Sequence, residues 1–341
     1  MKSFSFIVTA ALLSSFTFLG AAPRQEGDPE VFKAKEGVRN FAGIYGPRVK
    51  TIAVITPGSY PHFKSTCEGI KMLRDAGYKV KIYPNVFAEP EGLEKNKNTP
   101  VKLELRVRDF EAAWNDMEND MIICARGGTG TENLVANVNW QKLPKRPELY
   151  VQGYSDVTML LCAMSAKGCG RPVAGLNVSS HPSVHPPVIP AIKKMFHGEE
   201  LSFKLKPMKE GEASGQVVAG LLSRFVRVTN AGYGLDVKGK IVIIESLKGN
   251  TTIMTGQLET LLAKGFFKGV SAVVFGHFVK FADQKNVTSA LEKFAARLDV
   301  PVYRGFPFGH TANNVSIDFA RYAVIKNNTL TFPAVETEKK K

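Results

Sequence analysis

The stretch "VQGYSDVTMLL" (residues 151–161) passes from an apolar strand into an apolar helix through a tyrosine, a serine and an aspartate. Two readings of the serine stand side by side. Ser155 and Asp156 are both favoured helix caps, able to satisfy the orphan N–H groups of a first turn. A tight strand-to-helix turn also exposes a hydroxyl well placed to act as a nucleophile. The choice depends on what surrounds it.

Working outward, strands and helices alternate. "KTIAVITPG" (50–58) is a β-branched strand ending in a Pro-Gly turn, and "FKSTCEGIKMLRDAGY" spaces its apolar residues as a helix that stops at Gly77. "KVKIYPNV" follows as a strand, "LELRVRDFEAAWNDMEN" as a helix and "DMIICA" as a third strand, with "RGGTGTENLV" as the loop after it. "PELYVQGYS" and "DVTMLLCAMSAKG" repeat strand then helix. This alternation predicts an α/β domain with a parallel sheet covered on both faces. Ligands of such sheets sit at the carboxyl ends of the strands, where both "ARGGTG" and "GYSD" fall. We place this domain at residues 45–190. Residues 191–215, rich in Pro, Gly and charge nearby, are expected to be a linker to a second domain at 216–335. That domain carries "KGKIVIIES", "VSAVVFGHF", "VPVYRGFPFGH" and "YAVIKNNTLTF" as strands, with two helices between them, and is expected to be a smaller α/β or mixed unit.

Bulk properties narrow the class. The 341 residues are 44% hydrophobic, enough for two domains, and carry a formal charge of +14. The Lys and Arg residues are scattered, so the charge favours an anionic environment and not nucleic-acid binding. "MKSFSFIVTAALLSSFTFLGAAPRQ" has a Lys at position 2, an apolar run and small residues, the pattern of a secretory signal over residues 1–22. A membrane anchor is the competing reading, but the run is short and no second span follows. The mature chain is expected to begin near Ala21 to Arg24, outside the cytoplasm. Export permits disulfides. Of Cys67, Cys124, Cys162 and Cys169, Cys124 lies in an apolar strand and Cys162 on an apolar helix face, so buried thiols are expected. A Cys162–Cys169 bridge requires Gly168 to end the helix and turn the chain back.

The glycine loop "RGGTGTEN" (126–133) lacks the third glycine of a dinucleotide fingerprint. Its backbone N–H groups suit an anion or oxyanion, and Arg126 suits a carboxylate, although turn glycines and a structural ion pair explain them equally well. His181 and His185 are four apart, but Pro182, Pro186 and Pro187 prevent the helix that would align them on a metal, and no zinc site is expected. Glu245 closes the apolar run "KIVIIE", as a cap or a site residue. His310 emerges from a strand on a Gly-flanked turn. Ser155, Glu245 and His310 thus come in the order Ser…Glu…His, which is that of α/β-hydrolases, yet no Gly-x-Ser-x-Gly elbow is present. A serine hydrolase of another fold is expected.

Four segments in order, "ARGGTG", "GYSDVTMLL", "IVIIES" with the helix and strand after it, and "PVYRGFPFGHTANN", resemble those of the LD-carboxypeptidase family of serine peptidases, which includes the microcin-immunity peptidases. The resemblance spans roughly residues 50 to 330. It implies a flavodoxin-like N-terminal domain and a smaller C-terminal domain, with the site between them and a homodimer as the assembly. It implies Ser155 as nucleophile, His310 as general base and Glu245 as the carboxylate orienting it, with oxyanion donors at Asp156 and the Gly127–Gly128 turn. It implies no metal or cofactor, and removal of the terminal D-alanine from an L,D-linked murein tetrapeptide. Three positions depart from the family pattern: Ser246 follows Glu245, Thr129 stands for a Tyr, and "AGLLS" (219–223) replaces Gly-Gly-Asn-Leu. Two alternatives to the murein substrate remain. One is a peptidase for another carboxylate-ended peptidyl compound, and the other is an exported wall-peptide binding module without turnover.

Overall fold

The structure is a computed structural model that describes residues 39–90 and 98–335. The signal-like segment 1–22 lies outside these residues.

The first half builds β1 (Thr51–Ile55), α1 (Phe63–Asp75), β2 (Lys79–Ile82), α2 (Leu103–Asn115), β3 (Met121–Cys124), α3 (Thr131–Asn137), β4 (Tyr150–Gly153), α4 (Thr158–Lys167) and β5 (Arg171–Ala174). β1 and β3 are buried at every position, as strands covered on both faces must be. The five strands pair in parallel in the order β5-β4-β3-β1-β2, the flavodoxin-like order. The loop expected over 126–135 ends early, because α3 starts at Thr131 behind the left-handed Gly130.

The second half builds α5 (Ile189–His197), β6 (Leu201–Lys204), β7 (Lys206–Lys209), β8 (Ala213–Leu221), α6 (Leu222–Asn230), β9 (Ile241–Gly249), α7 (Thr251–Ala263), β10 (Ala272–Phe281), α8 (Val287–Ala295), β11 (Val302–Arg304), β12 (Ile317–Asp318), β13 (Tyr322–Lys326) and β14 (Thr329–Phe332). Its eight-stranded sheet runs β6-β14-β13-β8-β9-β10-β11-β7, with a parallel centre from β8 to β11 and antiparallel flanks. The expected linker 191–215 is therefore ordered. It carries most of α5 and both edge strands of this sheet. "YAVIKNNTLTF" is a hairpin, not one strand: Asn327 and Asn328 both take left-handed φ (49° and 55°), as a two-residue hairpin turn requires.

Two features lock the halves together. α4 is buried all round from Thr158 to Met164, because it packs on β5 on one side and on α6 and β8 on the other. β12 leaves the second half and pairs antiparallel with β5, which makes it the sixth strand of the first sheet. Arg171 donates to the buried Asp318 carboxylate across this pair at 2.8 Å. Among the described residues no helix is long and apolar enough to cross a membrane.

Cys124, Cys162 and Cys169 are buried and Cys67 is half-buried, all as free thiols. Gly168 does end α4 in the left-handed region, yet Cys162 and Cys169 stay unbridged. Burial pushes the Cys124 and Cys162 thiols far above their ordinary range, so both are inert packing groups.

Candidate active site

β4 ends at Gly153, and the chain turns through Tyr154 into a short 3-10 turn, Ser155–Val157, that leads into α4. Ser155 takes φ 67°, a left-handed conformation that costs a non-glycine residue of order 1 kcal/mol or more. Crowding maintains it. A Cβ on Gly153 would lie 2.7 Å from Val157 Cγ1, and one on Gly127 would lie 2.9 Å from Ser155 Cβ. The glycine that a Gly-x-Ser-x-Gly elbow keeps after its serine is thus supplied here by a different strand end. Ser155 does not cap a helix, since no side-chain cap bond is made at this turn.

His310 lies six residues beyond β11, on the segment joining β11 in the second sheet to β12 in the first. Its Nδ1 is 2.9 Å from Glu245 Oε2, and its Nε2 is 2.9 Å from Ser155 Oγ. A carboxylate only accepts, so Nδ1 donates to Glu245, and in the corresponding tautomer Nε2 is the atom left to accept from the serine hydroxyl. The tilted Tyr154 ring packs 5.0 Å from the imidazole centroid, and its hydroxyl accepts from Ser180. Burial pushes the Tyr154 phenol up, so it stays neutral.

Glu245 was expected at the end of its strand. β9 instead continues to Gly249, and Glu245 sits opposite a bulge: Ile244 pairs with Phe275 and Ser246 with Phe278, leaving Gly276 and His277 facing one residue. The bulge receives the His310 segment, with His277 N–H donating to Phe308 O at 2.8 Å. Gly309, at φ 131°, lies over the carboxylate, where a Cβ would meet Glu245 Oε2 at 3.1 Å. Glu245 is fully buried, and its Oε1 has no hydrogen-bond partner among the described residues. The bond from His310 Nδ1 thus reaches Oε2 alone, and it aims the carboxylate at the imidazole. His277 nearby is engaged elsewhere, its Nε2 donating to Asn313 O, and burial pushes its imidazole down.

The glycine loop after β3 closes on the serine turn. A Cβ on Gly127 would lie 3.0 Å from Tyr154 O and 3.2 Å from the Asp156 nitrogen, so glycine alone permits the approach. Ser59 fixes this loop: its N–H donates to Gly127 O at 3.2 Å, and its Oγ accepts from Thr129 N at 3.0 Å. The N–H groups of Gly127, Gly128 and Asp156 therefore belong to two abutting turns beside Ser155 Oγ. Arg126 stands at the loop's start, half-buried, and donates to Tyr60 O and Asn98 Oδ1 at 2.9 and 3.1 Å. Burial lowers its guanidinium from the ordinary value, though it remains charged.

The geometry therefore gathers Ser155, Glu245, His310, Asp156, Gly127 and Gly128 in one place, with Arg126 bound to the adjoining loops. Its chemistry is that of a hydroxyl whose proton has an aligned acceptor, and whose acceptor is oriented by a buried carboxylate. Among the described residues no group of three or more His, Cys, Asp or Glu could hold a metal ion. The buried His181 bonds to Tyr45 Oη at 2.6 Å and to its own turn, not to His185. Sequence reasoning missed Arg224, whose Nε lies 2.5 Å from Asp156 Oδ1, because no local pattern marks an arginine that pairs across 68 residues. It also missed the Gly276–His277 bulge, for which the glycine inside a strand was the available signal.

Comparison with known proteins agrees with this architecture. Residues 52–173 match the LD-carboxypeptidase N-terminal domain and residues 214–324 the LD-carboxypeptidase C-terminal domain. A probable murein peptide carboxypeptidase of Bacillus subtilis is 24% identical over 81% of this chain and 88% of its own length. The murein tetrapeptide carboxypeptidase of Pseudomonas aeruginosa is 25% identical over 67% of this chain and 79% of its own. Among solved structures, a muramoyltetrapeptide carboxypeptidase from Oxalobacter formigenes superposes with a TM-score of 0.72 at 23% identity, covering 84% of this chain and all of that one. The microcin C7 self-immunity protein superposes at 0.71 and 16% identity, covering 84% and 96%.

Proposed function

Because the chain belongs to the LD-carboxypeptidase family, a family of peptidases, we propose that it is a serine carboxypeptidase cleaving the L,D-peptide bond before the C-terminal D-alanine of murein tetrapeptide. The observation that carries the serine mechanism is the pair of 2.9 Å bonds on His310, to Ser155 Oγ and to Glu245 Oε2. His310 Nε2 takes the Ser155 proton as Oγ attacks the scissile carbonyl carbon. Glu245 keeps Nδ1 protonated and stabilises the imidazolium that forms. The N–H groups of Asp156 and the Gly127–Gly128 turn receive the oxyanion. The C–N bond then breaks, the D-alanine nitrogen takes the proton from Nε2, and an acyl-Ser155 ester remains. Water, losing a proton to the same Nε2, hydrolyses that ester and restores the hydroxyl.

The murein part of the reading is supported by the named activities of the Bacillus and Pseudomonas relatives. The reading extends to export of a chain cleaved near Ala21 to Arg24, on the secretory-signal pattern of residues 1–22, and to a homodimeric assembly. A second reading keeps the chemistry and changes the substrate to another carboxylate-ended peptidyl compound. The replacement of the family's Gly-Gly-Asn-Leu by "AGLLS" (219–223) favours it, because Leu221 stands in place of the family's Asn directly against the serine helix, its N–H donating to Thr158 Oγ1 at 3.1 Å. Incubation with murein tri-, tetra- and pentapeptides, followed by mass analysis, separates the two. Loss of one alanine from the tetrapeptide alone supports the first. Labelling of Ser155 by a fluorophosphonate with all three peptides left intact supports the second. An unlabelled serine in folded protein removes both and leaves a binding module.

A further inference from the structure

Asp156 contributes its N–H to the proposed oxyanion site, yet its side chain is an anion in the same turn. That carboxylate is buried and held at both oxygens. Oδ2 accepts the Thr131 N–H at 2.9 Å, and Oδ1 accepts Arg224 Nε at 2.5 Å. Arg224 also donates through Nη2 to Gly128 O at 3.3 Å. One guanidinium from α6 of the second half thus bridges the serine turn and the glycine loop, both from the first half. The pair is shielded from water, with the Arg224 side chain 15% exposed and the Asp156 side chain 3%. A buried carboxylate stripped of its counter-charge is strongly unfavourable, and here its field would oppose an oxyanion forming at the neighbouring N–H.

We propose that Arg224 is a positioning residue for the oxyanion site: it aligns the Asp156 and Gly128 turns and neutralises the Asp156 carboxylate. This rests on the serine-hydrolase reading of Ser155 but not on the murein substrate. No direct contact between Arg224 and substrate is invoked. Its effect runs through the Asp156 carboxylate and the Gly128 carbonyl.

The test is the rate of Ser155 modification by a fluorophosphonate, whose phosphoryl oxygen takes the same N–H donors, in the full-length mature protein. Arg224→Gln is expected to lower the limiting inactivation rate on the order of 10²-fold, the scale of losing one oxyanion donor, with reagent affinity changed less than threefold. Arg224→Lys keeps the charge but cannot hold both turns at once, and should fall between, at least fivefold below wild type. In Asp156→Asn/Arg224→Gln the unpaired charge is gone, and at least tenfold of the loss should return. Thermal unfolding checks that each variant is folded, and Arg224→Lys carries the test if Arg224→Gln is not. A folded Arg224→Gln or Arg224→Lys protein labelled within threefold of the wild-type rate overturns the proposal. So does a loss confined to affinity, or a double variant without recovery. Wild-type protein that labels but spares murein tetrapeptide refutes the substrate and leaves Arg224 to stand on these rates. Wild-type protein that does not label refutes both.

Discussion

Gly127 offers a perturbation whose size follows from its neighbours. Its replacement by alanine adds one methyl group at 2.9 Å from Ser155 Cβ, 3.0 Å from Tyr154 O and 3.2 Å from the Asp156 nitrogen. Ordinary contact begins at 3.4 Å, so the two turns must separate by roughly half an ångström or more. Neither side yields easily. Ser155 is already in a left-handed conformation, and the glycine loop is pinned by Ser59. Separation moves the Gly127 and Asp156 N–H groups apart around the space an oxyanion would occupy. A misplacement of about 1 Å costs on the order of 10²-fold, and loss of one donor about 10² to 10³-fold, or roughly 3–4 kcal/mol. Gly127→Ala should therefore lose 10² to 10³ in kcat for D-alanine release, with KM changed less than threefold. Overpacking should also cost about 1–3 kcal/mol of stability. Gly256→Ala is the matched control, because a Cβ there meets nothing within 4 Å inside α7, and alanine is the better helix former by about 0.5–1 kcal/mol. Steady-state kinetics with murein tetrapeptide, alongside thermal melts, decides. A folded Gly127→Ala enzyme with kcat within threefold of wild type would refute the placement of the oxyanion site.

Ser155→Ala and His310→Ala should each cost on the order of 10⁴ to 10⁶ in kcat while the double variant costs little more, as expected of groups acting as a unit; additive losses in D-alanine release would contradict this. Glu245→Gln should be milder but still severe, since the amide cannot both keep the tautomer and stabilise an imidazolium. Arg126→Lys should raise KM by roughly one to two powers of ten if the guanidinium also reaches the substrate carboxylate, and unchanged KM and kcat would assign Arg126 a structural role such as its bonds to Tyr60 and Asn98. Stability should fall as pH drops from about 6.5 toward 4: burial pushes His181 down to about 4, so in that window the unfolded chain binds a proton that the folded chain refuses. The loss amounts to roughly 3 kcal/mol at about 1.4 kcal/mol per unit, and a His181→Gln variant with the same pH slope in denaturant melts would refute the assignment.

Much of this architecture is legible in the sequence because it is written locally. Four of the five parallel strands of the first half are short runs closed by turn residues, and the serine turn and glycine loop fall at two of their ends; β5, only Arg171–Ala174 with a proline inside it, gives no such signal. What escaped is written across the chain. β12 has only two residues, too few for any periodicity, and is a strand solely because β5 offers it an edge. β6 and β7 are edge strands in which five of eight residues are exposed and only Leu201 is buried, so they carry the polar composition of a connection. Asp156 looks like a helix cap in sequence, yet both its oxygens are committed to distant partners, Thr131 and Arg224. Gly127 is the same case in steric form. Its reason for being glycine lies in Ser155, in the turn that follows the neighbouring strand β4.

The segment that carries His310 is tethered at one end to the second sheet through β11 and at the other to the first sheet through β12. This has a kinetic consequence for how the protein acquires its activity. The bond from His310 to Ser155 spans 155 residues and that to Glu245 spans 65. Contacts of such separation form late, because closing long loops costs entropy before any contact rewards it. The parallel sheet of the first half can assemble from nearby elements, and so can the centre of the second. The reacting groups meet only after both exist and β12 has crossed back to zip onto β5. Regain of hydrolysis thus reports the last docking event of the whole chain, and a nick anywhere between β11 and β12 would uncouple the imidazole from the serine while leaving each sheet's own hydrogen bonds intact.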